Sequence, residues 1–123
     1  MAIESINPAT GERLNTYEEM SQAAVDDIIS KTHEAFLAWR RTSFDERARR
    51  VRGAAQVLRT KAEAYSRLMA QEMGKPVRDG IAEAQKCALA CEFYADNAKR
   101  LLAREQVATE ARASFVANSR NAS

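Results

Sequence analysis

The sequence predicts a mainly α-helical chain, with a small N-terminal β-hairpin followed by three to four amphipathic helices. Three observations carry this reading. Apolar residues recur at steps of three and four through 21–39, 44–69 and 77–102. The segment Asn7-Pro8-Ala9-Thr10-Gly11-Glu12 has turn chemistry, since proline fixes one backbone angle and glycine permits a positive one. Glu72-Met73-Gly74-Lys75-Pro76 punctuates the helical region, with glycine closing one helix and proline opening the next.

The elements follow in order. Ile3 to Asn7 is extended, and Arg13 to Glu18 returns as a second strand. Ser21 is an N-cap for a helix to about Trp39. Its apolar stripe is Val25, Ile28, Ile29, Thr32, Phe36 and Trp39, with His33 at the edge as a boundary residue. Ser43-Phe44-Asp45-Glu46 reads as a capping box, in which the serine accepts from the amide three residues on and Glu46 reaches back. Phe44, Ala48, Val51, Ala55, Leu58, Ala62, Tyr65 and Met69 then step by four and three in alternation, the seam of a helix packed along its length. Thr60 and Glu63 offer a second capping box, which would divide this run into two helices with a bend.

Gly74 closes the run as a left-handed residue, and Pro76 suits the first turn of the next helix. Val77, Ile81, Ala84, Ala88, Cys91, Ala95, Ala98 and Leu102 repeat the alternation, and Cys87, Tyr94 and Leu101 widen the stripe. Small residues at its centre let a neighbouring helix come close. Gly80 weakens the first turn by about 1 kcal/mol relative to alanine. The matched periods suggest an antiparallel helical hairpin, although neither run shows a charge pattern that fixes a partner. Ala113-Ser114-Phe115-Val116 begins a strand, and Asn118 to Ser123 reads as a frayed polar tail. The expected organisation is a hairpin over 1–20, a helical part over 21–113, and a strand start with a disordered tail over 114–123.

At 123 residues the chain has the length of one domain, and its 46% hydrophobic and 29% charged content is that of a globular protein. A net charge of +2 does not by itself call for nucleic acid or an anionic membrane. No apolar run approaches a membrane span, and the N-terminus lacks a basic region followed by an apolar core. A cytoplasmic protein with no nucleic-acid or membrane partner is expected.

Side chains able to do chemistry are scattered. Cys87 and Cys91 share a helix face with Ala84, Ala88 and Ala95, so both read as small core residues; their helical spacing disfavours a disulfide. Zinc needs further ligands, and the sole histidine, His33, lies in another segment. Gly74-Lys75-Pro76 lacks the upstream glycine and following hydroxyl of a phosphate loop. Arg40, Arg41, Arg47, Arg49, Arg50 and Arg52 form a basic cluster interrupted by Asp45 and Glu46, which reads as a solvated helix face or as partners for acidic groups elsewhere. Glu72, Glu83 and Glu92 are spread over two helices with no nucleophile beside them. Accordingly, no catalytic, cofactor-binding or metal-ligating residue is assigned.

An ordered set of blocks remains. It comprises Ile6 to Glu12, Ala35-Phe36-Leu37-Ala38-Trp39, Phe44-Asp45-Glu46-Arg47-Ala48, Glu72 to Pro76, then Glu83 and Phe93-Tyr94-Ala95. In order and spacing this set resembles the N-terminal part of an NAD(P)-dependent aldehyde dehydrogenase, nearest to the bacterial succinate-semialdehyde dehydrogenase branch. The likeness runs from about Ile3 to Val116. It implies a partial piece of an α/β fold, with residues 21–113 belonging to the cofactor-binding domain of a much longer enzyme. In that family a cysteine thiolate attacks the aldehyde, hydride passes to NAD or NADP, and a glutamate-activated water releases the acid. The family's Pro-Trp-Asn-Phe-Pro, glycine-loop and Gly-Gln-x-Cys blocks have no counterpart in these residues, and neither Cys87 nor Cys91 inherits the nucleophile's role. After Ala117 the sequence leaves the family pattern, as a truncated or shifted reading frame would produce.

The resulting expectation is a catalytically inactive fragment that binds no cofactor and either self-associates or joins the remainder of the enzyme. The competing reading is a stand-alone helical interaction module that uses its alanine-rich seams to bind a helix of another protein.

Overall fold

Asn7 organises the first turn. Its amide donates to the Glu12 carbonyl and its own carbonyl accepts from the Gly11 amide, both at 2.8 Å, around Gly11 at φ 72°. In the computed structural model, which describes residues 2–117, this turn joins β1 (Ala2–Ile6) to β2 (Arg13–Glu18). The strands pair antiparallel with Ile3 opposite Tyr17, and a bulge lies between Ser5 and Ile6. The hairpin rests on the third helix: Ser5 Oγ donates to Glu72 at 3.3 Å, and Pro8 lies beside Gly74.

Four helices follow: α1 (Gln22–Trp39), α2 (Phe44–Thr60), α3 (Ala62–Met73) and α4 (Val77–Leu101). Ser21 caps α1 by accepting from the Ala24 amide at 3.2 Å, and Ser43 caps α2 by accepting from the Glu46 amide at 3.1 Å. The reciprocal half of that box does not form, because the Glu46 carboxylate turns to Arg49 and Arg50. The second box does not form either. Thr60 donates back to the Gln56 carbonyl at 2.8 Å, and Lys61 precedes α3 with no side-chain cap. The run nevertheless divides into two helices, at Lys61.

Gly74 ends α3 at φ 72°, its amide donating to Ala70 and that of Lys75 to Met69. Pro76 occupies the N-cap of α4, one residue before the first turn. The last helix stops at Leu101, short of residue 113. A two-strand ribbon, β3 (Glu105–Gln106) with β4 (Phe115–Val116), follows it and contains the expected strand start. The polar tail expected over Asn118 to Ser123 lies outside the described residues.

The core is narrow. Both α2 and α3 lie along α4, and the buried positions are Ala55, Ala62, Ser66, Gly80, Ala84 and Ala88. Ser66 is completely buried, and its hydroxyl donates to the Val77 carbonyl. It fills the space that a side chain on Gly80 would need. Of the widening residues, Cys87, Tyr94 and Leu101 are exposed, which corrects the core reading of Cys87. The seam runs through Ala84 and Ala88, and Cys87 points away from it; Cys91 is half-buried.

Charges set the register. Asp45 meets Lys99 at 3.7 Å, Arg52 meets Asp96 at 2.6 Å, and Arg59 grips Glu92 with two bonds of 3.0 and 2.7 Å. As positions rise along α2 they fall along α4, so the pair is antiparallel. A charge pattern fixing the partner is therefore present, contrary to the sequence reading.

Two tests follow from this packing. A methyl on Gly80 would sit 2.4 Å from Ser66 Oγ, 2.9 Å from its Cβ and 3.0 Å from its Cα. The backbone atom cannot rotate away, so overpacking of about 1–3 kcal/mol outweighs the propensity gained. Gly80→Ala is expected to lower the urea midpoint followed by circular dichroism. A raised midpoint for Gly80→Ala would contradict the close approach.

The hydrogen bonds from Arg59 hold Glu92 below its ordinary 4.5, and those from Arg49 and then Arg50 do the same for Glu46. A depressed folded pKa adds stability that is present above the ordinary value and lost as pH falls through the depressed one. Acidification below the usual carboxylate range should loosen the α2–α4 pair, and Glu92→Gln should flatten that acid limb. The effect is small because the ion pair is solvent-exposed. Identical acid titrations of helicity in the two chains would refute the assignment.

Candidate functional site

Arg47 ties the end of α1 to the start of α2. The chain leaves α1 at Trp39 and re-enters helix at Phe44, which leaves carbonyls at the end of α1 without helical partners. The Arg47 guanidinium supplies donors to the Arg40 carbonyl at 2.9 Å, the Trp39 carbonyl at 3.3 Å and Thr42 Oγ1 at 3.0 Å. It also lies over the Trp39 and Phe44 rings, 5.9 and 5.6 Å from their centroids. The Arg50 guanidinium also lies over the Trp39 ring, 5.7 Å from its centroid. Together with the Thr42 amide and hydroxyl, which donate to the Trp39 carbonyl at 3.0 and 2.7 Å, the Arg47 side chain satisfies the helix end.

Beyond this junction α1 is bare. It has no buried residue and makes at most marginal contact with the other elements. Ile28, Ile29 and Phe36 of its apolar stripe are exposed; Val25 and Trp39 are half-buried. A second open region lies between the start of α2 and the end of α4. It is a groove of about 430 Å³ with Phe44, Val51, Tyr94 and Leu102 in its lining and charged residues along it.

The side chains singled out for chemistry are mutually occupied. Glu72 accepts from Ser5, Glu83 pairs with Lys75, and Glu92 pairs with Arg59. Of the basic cluster, Arg49 and Arg50 pair with Glu46, Arg52 pairs with Asp96, and Arg40 lies over the Phe36 ring. Two carboxylates, Glu46 and Asp96, thus answer three of the six arginines. His33 is exposed on α1, its ring 6.3 Å from that of Phe36. Cys87 and Cys91 are both free thiols on α4. Among the described residues no group of three metal-ligating side chains occurs, and no helix is long and apolar enough to cross a membrane.

A dinucleotide pyrophosphate needs open amides at a helix start or in a glycine loop, with cationic side chains near. The glycine-lysine turn does not fit it. Pro76 has no amide proton, the amides of Gly74 and Lys75 already close α3, and the Lys75 ammonium is held by Glu83. The start of α2 carries Asp45 and Glu46, which repel an anion.

Sequence reasoning missed the Arg47 clamp and the ion-pair register. The second had a visible signal: Asp45, Arg52 and Arg59 stand seven residues apart on one face of α2, opposite Lys99, Asp96 and Glu92. The clamp had none, because two of its three acceptors are backbone carbonyls.

Comparison with known proteins gives a consistent result. The aldehyde dehydrogenase family model matches residues 1–121. The chain is 43% identical over 117 residues to a probable succinate-semialdehyde dehydrogenase (NADP(+)) of Synechocystis sp., covering 95% of this chain and 26% of that protein. It is 42% identical over 105 residues to succinate-semialdehyde dehydrogenase (NADP(+)) 1 of Mycobacterium tuberculosis, covering 85% and 23%. Among solved structures, Gox0499 matches with TM-score 0.91 and 25% identity over 96% of this chain and 26% of its own. The succinic semialdehyde dehydrogenase of Streptococcus pyogenes, solved with NADP+, matches with TM-score 0.85 and 26% identity over 91% and 25%. The chain spans about a quarter of the length of these relatives, so its hairpin and helices are a partial piece of their fold. With nearly its whole length matched in both sequence and structure, the chain belongs to the aldehyde dehydrogenase family.

Proposed function

We propose that this chain supplies scaffolding for the NADP-dependent oxidation of succinate semialdehyde to its carboxylic acid, and that it does not perform the oxidation by itself. The observation that carries this is the 43% identity to a succinate-semialdehyde dehydrogenase of which the chain spans 26%. NADP is favoured over NAD because the relatives' names specify it. Residues 21–113 belong, in this reading, to the cofactor-binding domain of the intact enzyme. A cytoplasmic setting is part of the proposal and suits two free thiols on an open helix.

The physical support for inactivity is positional. Hydride transfer requires a bound nicotinamide and an oriented nucleophile held together. Cys87 lies on an exposed helix face, and the candidate carboxylates are already engaged by cations or by the hairpin. The glycine-lysine turn rejects a pyrophosphate on the geometry described above.

Purified chain mixed with NADP+ and succinate semialdehyde is expected to give no absorbance of reduced cofactor above a protein-free control. NADPH formation that scales with the concentration of the chain would overturn the proposal.

A further inference from the structure

Cys87 and Cys91 stand four residues apart near the middle of the 25-residue α4, away from its fraying ends, and both are free thiols. Cys87 is exposed and Cys91 is half-buried, so α4 presents the pair at the border between its packed seam and solvent. Side chains at this spacing share one helix face, with their Cβ atoms about 5–6 Å apart. A disulfide needs Cβ atoms about 3.5–4.5 Å apart. The helix therefore holds the two thiols too far apart to join and preserves them as a dithiol.

An ion between the sulfurs changes that distance requirement. Thiolate–metal bonds of about 2.3 Å let two sulfurs on opposite sides of an ion stand up to about 4.6 Å apart, a span that fits between Cβ atoms one helical turn apart. The ligand set then selects the ion. Structural zinc and iron–sulfur clusters take four protein ligands, and among the described residues no group of three His, Cys, Asp or Glu side chains could hold a metal. Calcium and magnesium take oxygen ligands. Two thiolates alone suit a soft cation of low coordination number, the class to which copper(I) belongs. The charges around the pair agree. Two thiolates about a monovalent ion leave one net negative charge, and Lys86 lines the same open hollow as Cys87. Glu83 also lines that hollow, but its carboxylate is paired with Lys75.

We propose that Cys87 and Cys91 form a two-coordinate site for a soft monovalent cation, copper(I), held between their sulfurs along one turn of α4. Each thiol gives its proton to solvent as its sulfur–copper bond forms, and the copper remains in the +1 state throughout. The site does not rest on the function proposed above.

The test is an anaerobic titration of the fully reduced chain with copper(I) against bathocuproine disulfonate, a coloured competing chelator. One copper per monomeric chain is expected. Cys87→Ser alters an exposed position, so it should keep the helicity of the free chain. It should weaken binding on the order of 100-fold or more, because one thiolate loses the advantage of a tethered second. Cys87→Ser combined with Leu89→Cys keeps two thiols, the new one at a position 58% exposed. It sets them two residues apart, where helix side chains do not face each other, and it should bind as weakly as Cys87→Ser alone. Three results overturn the proposal: equal affinity in the unchanged chain and the displaced-thiol variant, loss of no affinity in Cys87→Ser, or copper bound between two chains with a dimer in sedimentation.

Discussion

The architecture depends on how closely α3 and α4 approach at Ser66 and Gly80. A glycine inside a helix is a local weakness, yet here it is the condition for packing, since the Ser66 side chain occupies the volume that any Cβ would take. The serine is tolerated in a fully buried position because its hydroxyl reaches the Val77 carbonyl in the first turn of α4. That one contact joins steric fit to hydrogen bonding, and it lies just beyond the turn made by Gly74 and Pro76. The remaining buried residues, all alanines, extend the same close spacing along α4.

A seam made of alanines fits many registers, because small side chains interlock poorly. The ion pairs remove that ambiguity. Asp45, Arg52 and Arg59 meet Lys99, Asp96 and Glu92 only when α2 runs antiparallel to α4 in one register. Each exposed pair contributes little to stability; mismatched registers would set like charges together, as Arg52 against Lys99 would. Packing thus supplies the cohesion and charge supplies the choice among alignments.

The same division explains why the chain looks incomplete at its surface. Its cohesion is concentrated along α4, while α1 is attached at its C-terminal end, through Arg47 and the contact of Arg50 with Trp39, and the hairpin through contacts near Glu72 and Gly74. The relatives are about four times as long. Proteins of this length can bury a core of large side chains; this one buries alanines, a serine and a glycine, and leaves Ile29, Phe36, Leu89 and Phe93 in solvent.

Much of the local structure was legible in the residues. Asn7 to Glu12 determined the hairpin turn, Ser21 and Ser43 the helix starts, Gly74 the end of α3, and the alternating steps the helical seam, because each acts through neighbours a few positions away. The blocks from Ile6 to Tyr94 were enough to indicate the family. Tertiary structure alone decided which stripe found a partner: the stripes of α2 to α4 did, and that of α1 did not, although its periodicity is equally regular. It also decided that Cys87 lies outside the core, that Gly80 is a contact and not a defect, and that Arg47 belongs to the end of α1. These outcomes turn on which atoms meet across distances that no sequence period encodes. Periodicity states that a face wants cover, and only the packed chain states whether the cover is there.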